Sequence, residues 1–195
     1  MTSKRVTFED RIDAGKQLAE ALLPYQAERP LILALPRGGA PAGYETATKL
    51  KAPLDTVVAR KIGAPSDPEF GVGALAPGDV IVLNNEAIET LAILRKELDP
   101  IIAAEMEEME RRMVHYKSGA YSEDIEAGTV ILVDDGLATG VTARAAIESV
   151  RLMRKPKKIV FAAPICAIVH LVDNKFVGSY LWAAFCFCKC FVITK

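Results

Sequence analysis

The sequence predicts an α/β fold, a central and mostly parallel sheet flanked by helices on both faces. Apolar runs bounded by turn residues recur at 31–35, 54–59, 79–84, 129–133 and 158–165, and these read as strands. Helical stretches stand between most of them, the alternation that builds a parallel sheet with covered faces. The 195 residues suit one ordinary domain, a size at which folding buries roughly 70% of the unfolded chain's surface.

RIDAGKQLAEALLPY reads as a helix before the first strand, LILAL, and PAGYETATKLK as the helix after it. The second run, LDTVVA, is followed by KIGAPSDPEFGVGALAPG, rich in Gly and Pro and without helical period. That connection reads as a hairpin-like excursion rather than a crossover to the third run, DVIVLN. From Glu86 to about Lys117 the pattern is helical, with a break expected at Asp99–Pro100, where Asp caps a new helix and Pro takes its first position. Glu107 with Arg111 and Glu108 with Arg112 are four apart in the favourable acid-first order, as on a solvated helix face. TVILV, the helical TARAAIESVRLM and KIVFAAPI complete the alternation.

Twenty-four basic and 25 acidic residues leave a net charge of −1. That balance lacks the basic excess of proteins held to nucleic-acid phosphates, so nucleic acid is not an expected partner. The N-terminal stretch MTSKRVTFEDRIDAGKQL scatters charges through what would be an apolar signal core, so a cytoplasmic protein is expected.

The segment VILVDDGLATGVT, residues 130–142, carries the chemistry. Four apolar residues run into two acids, then a Gly and Thr loop, then a helical pattern. In open parallel sheets ligands bind beyond the carboxyl ends of strands, where the next helix presents unpaired N–H groups and the positive end of its dipole. An anion is expected there. Gly136 and Gly140 allow close approach or positive φ, Thr139 and Thr142 supply hydroxyls, and Leu137, Ala138 and Val141 complete the loop around a monoester phosphate. Asp134 and Asp135 would repel that phosphate, but they suit a diol, accepting hydrogen bonds from two ribose hydroxyls. The string describes a ribose 5-phosphate.

It resembles the signature of the type I phosphoribosyltransferases, with apolar residues, two acids, a short variable stretch and Thr-Gly-x-Thr. Two further segments agree. Pro36, Arg37, Gly38 and Gly39 after the first strand resemble the family's short pyrophosphate loop, in which the Arg fork and main-chain N–H groups face the anion. VVARKIGAP resembles a subgroup with Lys-Ile-Gly at the end of the second strand. Arg60 and Lys61 are its candidate cations, Lys61 favoured if only one faces the site.

The resemblance implies transfer of the 5-phosphoribosyl group from 5-phosphoribosyl 1-pyrophosphate to a nitrogenous base, with release of pyrophosphate. It implies magnesium as cofactor, bridging ribose hydroxyls and pyrophosphate, with Asp134 and Asp135 as candidate protein ligands. Arg37, Lys61, Asp134 and Asp135 are then the catalytic set. Donors aimed at developing charge are commonly worth about 3–4 kcal/mol each. A binding module of the same fold that holds the sugar donor or a nucleotide without turnover stays open as the alternative. The family also closes a loop over its site, and residues 115–128, with Lys117 and Tyr121, are the candidate segment here.

The composition changes after Ala167, which divides the chain into a domain over 1–167 and an apolar, Cys-rich tail over 168–195. Cys186, Cys188 and Cys190 lack zinc-site spacing, and with Cys166 they read as small apolar side chains in a reduced compartment. His115 and His170 stand alone and read as structural. Residues 176–193 carry one charge, Lys189. A buried strand or contact within a homo-oligomer, an abnormal tail, and a membrane span, the least favoured because of that interior lysine, stay open.

Overall fold

The computed structural model describes residues 8–116, 128–165 and 191–194. The chain forms two compact units, Met1–Thr56 with Glu123–Ala138 and Pro156–Lys195, and Val57–Ser122 with Thr139–Lys155.

The first unit opens with α1, Arg11–Leu22, whose N-cap Asp10 accepts hydrogen bonds from the N–H groups of Ile12 and Asp13. Ala14, Leu18, Ala19 and Leu22 recur at helical spacing and are buried together. A short 3-10 turn, Leu23–Glu28, leads into β1, Leu31–Ala34. Helix α2, Gly39–Leu50, ends where Lys51 turns left-handed at φ 53°. Lys51 N–H then bonds Thr48 O and Ala52 N–H bonds Ala47 O, closing the helix with a Schellman motif. Strand β2, Leu54–Thr56, follows.

Strands β2 and β1, together with β6 (Thr129–Val133) and β7 (Lys158–Ala163), lie in the order β2-β1-β6-β7, all parallel. Ile32, Ile131, Val133, Val160 and Ala162 form one core cluster with Leu18 and Leu22 of α1 and Ala42, Ala47 and Leu50 of α2. The alternate residues Leu31, Leu33, Val130, Leu132 and Phe161 are buried as well. Both faces of the sheet are therefore apolar, as continuous rather than alternating apolar runs require. The chain is an α/β protein with a four-strand parallel sheet flanked by helices. Phe191–Thr194, in the tail for which a strand is one of the open readings, forms β8 and pairs antiparallel with β7 at the sheet edge. The candidate loop residues Lys117 and Tyr121, all four cysteines, His170 and the rest of the tail lie outside the described residues.

The second unit is built on a three-strand antiparallel sheet of β3 (Arg60–Ala64), β4 (Asp67–Ala76) and β5 (Val80–Leu83). The hairpin-like excursion is thus present, and it takes the 79–84 run with it into this second sheet. With no helix in the preceding connection, hairpin pairing to β4 is the local solution. The run 54–59 also stops short. Arg60 and Lys61 do not end the second strand but open β3.

Val58, Ile62, Val72 and Leu75 pack on Leu98, Ile102 and Met109 of helix α4, Arg95–Tyr116. Ala74, Ala76 and Val82 pack on Val141 and Ala145 of helix α5, Val141–Arg154. The break expected at Asp99–Pro100 lies earlier, between α3, Asn85–Thr90, and α4. Glu97 reaches back to accept from the N–H of Leu94 at 2.7 Å, one arm of a capping box, and so sets the start of α4 there. Asp99, no longer a cap, pairs with Arg95 at 2.9 Å, and Pro100 sits inside the helix. On the same helix Arg111 does not take Glu107. Glu108 accepts from both Arg111 and Arg112, at 2.6 and 2.7 Å, and these bonds lower its carboxyl to about pKa 2.

Candidate functional site

In the first unit the two acids stand at the end of the central strand. Leu35 N–H donates to Val133 O at 2.9 Å and Asp134 N–H to Ala162 O at 3.1 Å, so β1 and β7 hold the backbone of β6 from both sides up to the first acid. The turn Pro36-Arg37-Gly38-Gly39 leaves β1 at the same level, with a cis peptide between Pro36 and Arg37. It lies hard against the acids. A Cβ on Gly38 would stand 2.5 Å from Asp135 Cγ, and one on Gly39 would stand 2.5 Å from Val133 O and 2.8 Å from Asp134 Cα.

The structure therefore brings Asp134, Asp135, Gly38 and Gly39 together, with Arg37 exposed beside them. The Gly39 N–H, expected to face an anion, instead donates to Leu35 O at 2.9 Å as α2 begins. Its lack of a side chain serves the close approach to β6.

The two carboxyls differ. Asp134 Oδ1 accepts from the N–H of Asp135 at 2.8 Å. Burial is the main cause that pushes the Asp134 carboxyl up to about 7; the Asp135 N–H opposes the shift, and the neighbouring Asp135 charge adds to it. Asp135 is more open, and its Oδ2 accepts from Arg11 Nε at 3.4 Å. Arg11, 124 residues away, is not among the candidates drawn from the sequence. No local pattern signals it, since only the packing of α1 brings it there.

The loop after the acids is uneven in what it offers. Leu137 is buried and its N–H is taken by Ile165 O at 2.9 Å, whereas no main-chain acceptor among the described residues takes the N–H of Ala138, Thr139 or Gly140. The chain passes from the first unit to the second between Ala138 and Thr139.

In the second unit Gly140, at φ 74°, is the residue before α5. Its positive φ is the one place in the loop where glycine is demanded by backbone conformation. Gly136 has no such φ, and a Cβ there would make an ordinary 3.7 Å contact. Val141 is buried core, and Thr142 is half-buried in the first turn of α5.

Lys61 and Thr139 flank Gly71, where a Cβ would stand 3.3 Å from Lys61 Cδ and 3.8 Å from Thr139 Oγ1. Lys61 Nζ donates to Glu69 O and Oε2 at 2.9 and 3.0 Å. Arg60 donates to Glu105 of α4 at 2.7 Å through Nε. Both cations line a cleft of about 550 Å³ with Pro65, Pro68, Ile101 and the two glutamates. His115 is exposed, its ring edge-on to Tyr116 at 5.6 Å. Among the described residues no group of three or more His, Cys, Asp or Glu is placed to hold a metal, and no helix is long and apolar enough to cross a membrane.

An acid pair thus stands at the carboxyl end of a central parallel strand, closed in by a glycine turn, at the edge where open α/β sheets commonly bind their ligands. Residues 8–174 match the phosphoribosyl transferase domain, and the chain belongs to that family. It is 37% identical over 158 residues, 81% of its length, to proteins of Mycobacterium tuberculosis strains CDC 1551 and H37Rv, both named "Putative phosphoribosyl transferase". The chain spans about a third of the length of those relatives, 35%. It is also similar to the crystal structure of TT1426 from Thermus thermophilus, with a TM-score of 0.62 and 37% identity over 83% of this chain and 76% of that one.

Proposed function

We propose that the chain is a phosphoribosyltransferase domain that uses 5-phosphoribosyl 1-pyrophosphate as sugar donor, transferring the 5-phosphoribosyl group to a nitrogenous base and releasing pyrophosphate. The observation that carries this reading is the acid pair packed on the Gly38–Gly39 turn, in a chain of this family. In this reading Asp134 and Asp135 accept from the ribose hydroxyls, the segment from Gly136 to Thr142 takes the monoester phosphate, and Arg37 with the Gly38 N–H takes pyrophosphate oxygens.

As the C1 bond lengthens, the sugar gains positive charge and the leaving group negative charge. The acids steady the first, and Arg37 and Lys61, the cations of the proposed catalytic set, steady the second by electrostatic attraction. No covalent nucleophile is needed. Lys61 and Arg60 each have a glutamate partner, so service to an anion requires exchange of that partner.

The donor set suits magnesium, because that ion is commonly held by one or two carboxylates together with substrate oxygens and water rather than by an all-protein cage. Asp134 and Asp135 would hold it, directly or through water. When bound, it offsets charge on the departing pyrophosphate. We further propose a cytoplasmic protein that acts on small molecules, free or as a homo-oligomer.

The test is calorimetric titration with 5-phosphoribosyl 1-pyrophosphate, with and without magnesium, followed by a screen for pyrophosphate release over nitrogenous bases. Magnesium-dependent binding with release supports the enzyme. Binding without release for any base assigns a non-catalytic module, and no binding by folded protein overturns the reading.

A further inference from the structure

Helix α1 starts at Arg11 because Asp10 caps it, accepting from the N–H groups of Ile12 and Asp13 at 2.8 Å each. Arg11 therefore leaves the helix at its first position, and its Nε reaches Asp135 Oδ2 at 3.4 Å. The helix is held close to the site. One turn on, a Cβ at Gly15 would stand 2.7 Å from Ala42 Cα, so α1 lies directly on α2, and α2 begins at Gly39 in the turn against Asp134.

As a structural ion pair this contact is weak. The side chains are 69% and 39% exposed, and exposed pairs contribute about 0–1 kcal/mol. Only Nε is engaged. Among the described residues Nη1 and Nη2 make no hydrogen bond, and these are the nitrogens that complete a two-pronged grip on a phosphate. A polyanion arriving here meets two adjacent carboxylates. Arg11 is the cation already in contact with one of them.

We infer that Arg11 is a ligand of the donor's pyrophosphate group, leaving Asp135 for it when the donor binds. This rests on the reading above that Asp134 and Asp135 hold the ribose. The exchange answers two needs at once, since it adds a forked donor for the anion and frees the Asp135 carboxylate for a ribose hydroxyl.

The test titrates inorganic pyrophosphate, ribose 5-phosphate and 5-phosphoribosyl 1-pyrophosphate separately, at fixed magnesium, into the wild type, Arg11→Gln, Arg11→Lys and Asp135→Asn. Melting temperatures are taken for each. Arg11→Gln is expected to weaken pyrophosphate about tenfold, the loss of one charge-assisted contact, while leaving ribose 5-phosphate and the melting temperature unchanged. Arg11→Lys recovers part of the loss. Asp135→Asn tightens pyrophosphate, because Arg11 no longer has a competing partner, and weakens ribose 5-phosphate.

Equal losses for pyrophosphate and ribose 5-phosphate in Arg11→Gln would make Arg11 a positioning residue for Asp135 and overturn the inference. Unchanged pyrophosphate affinity in a variant of a donor-binding protein overturns it while leaving the proposed function intact. A wild type that binds none of the three probes takes down both.

Discussion

Gly38 lies directly against the carboxylate of Asp135, so closely that a Cβ on Gly38 would stand 2.5 Å from Asp135 Cγ. The glycine is required by the partner it faces, not by its own backbone, whose φ of −60° any residue adopts. Gly38→Ala therefore displaces the acid. Overpacking of this kind costs about 1–3 kcal/mol. The expected result is a lowered melting temperature together with loss of affinity for the sugar donor, and a variant that keeps both would show that the turn and the acid do not share a site.

The carboxyl of half-buried Asp134, pushed up mainly by desolvation, makes stability depend on pH in a stated direction. Its folded value of about 7 lies above the ordinary 3.8, so the folded chain holds a proton that the unfolded chain has already lost. Stability is fullest below about 4 and falls as pH rises toward 7. At about 1.4 kcal/mol per unit of separation, the loss is bounded by about 4 kcal/mol. Asp134→Asn cannot ionise, so it should melt higher than wild type at pH 8 and near it at pH 4. A difference that stays the same at both pH values would sink the assignment.

Gly140 and Gly136 should respond differently, although both stand in the same loop. Gly140 has φ 74°, whereas Gly136 has room for a Cβ and no positive φ. Gly140→Val should cost at least about 1–2 kcal/mol through the left-handed conformation and should abolish ribose 5-phosphate binding. Gly136→Ala should stay within about 0.5 kcal/mol of wild type in denaturant unfolding. Equal effects at the two positions would refute this account of the loop.

The two cations of β3 also separate by their partners. Arg60 and Glu105 are 23% and 25% exposed, whereas Glu69, the partner of Lys61, is 93% exposed. A double-mutant cycle on Arg60 and Glu105 should give a coupling of about 1 kcal/mol, and one on Lys61 and Glu69 should give nearly none. If the second cycle matched the first, Lys61 would be structural in the same sense as Arg60.

Much of this was legible in the amino-acid order. The runs LILAL, TVILV and KIVFAAPI became β1, β6 and β7 because strands buried on both faces must be apolar throughout. DDGLATGVT marked the strand, loop and helix order because two acids followed by Gly and Thr fit neither a strand nor a helix interior. The start of α4 was harder to place. Asp99–Pro100 looked like a helix start, yet Glu97 had already capped the helix at Leu94, and a competing cap a few residues upstream leaves little trace in sequence.

By itself, then, the sequence determined the α/β class, the family resemblance and the acid pair at the end of β6, all of which rest on local pattern and short-range spacing. Only the tertiary structure decided that 79–84 joins a separate antiparallel sheet, that Gly38 and Gly39 lie against the acids and the end of β6, that the surroundings of Asp134 push its carboxyl up, and that Arg11 reaches Asp135. Each of these depends on which distant segments pack together, and burial and contact across more than a hundred residues have no local signature.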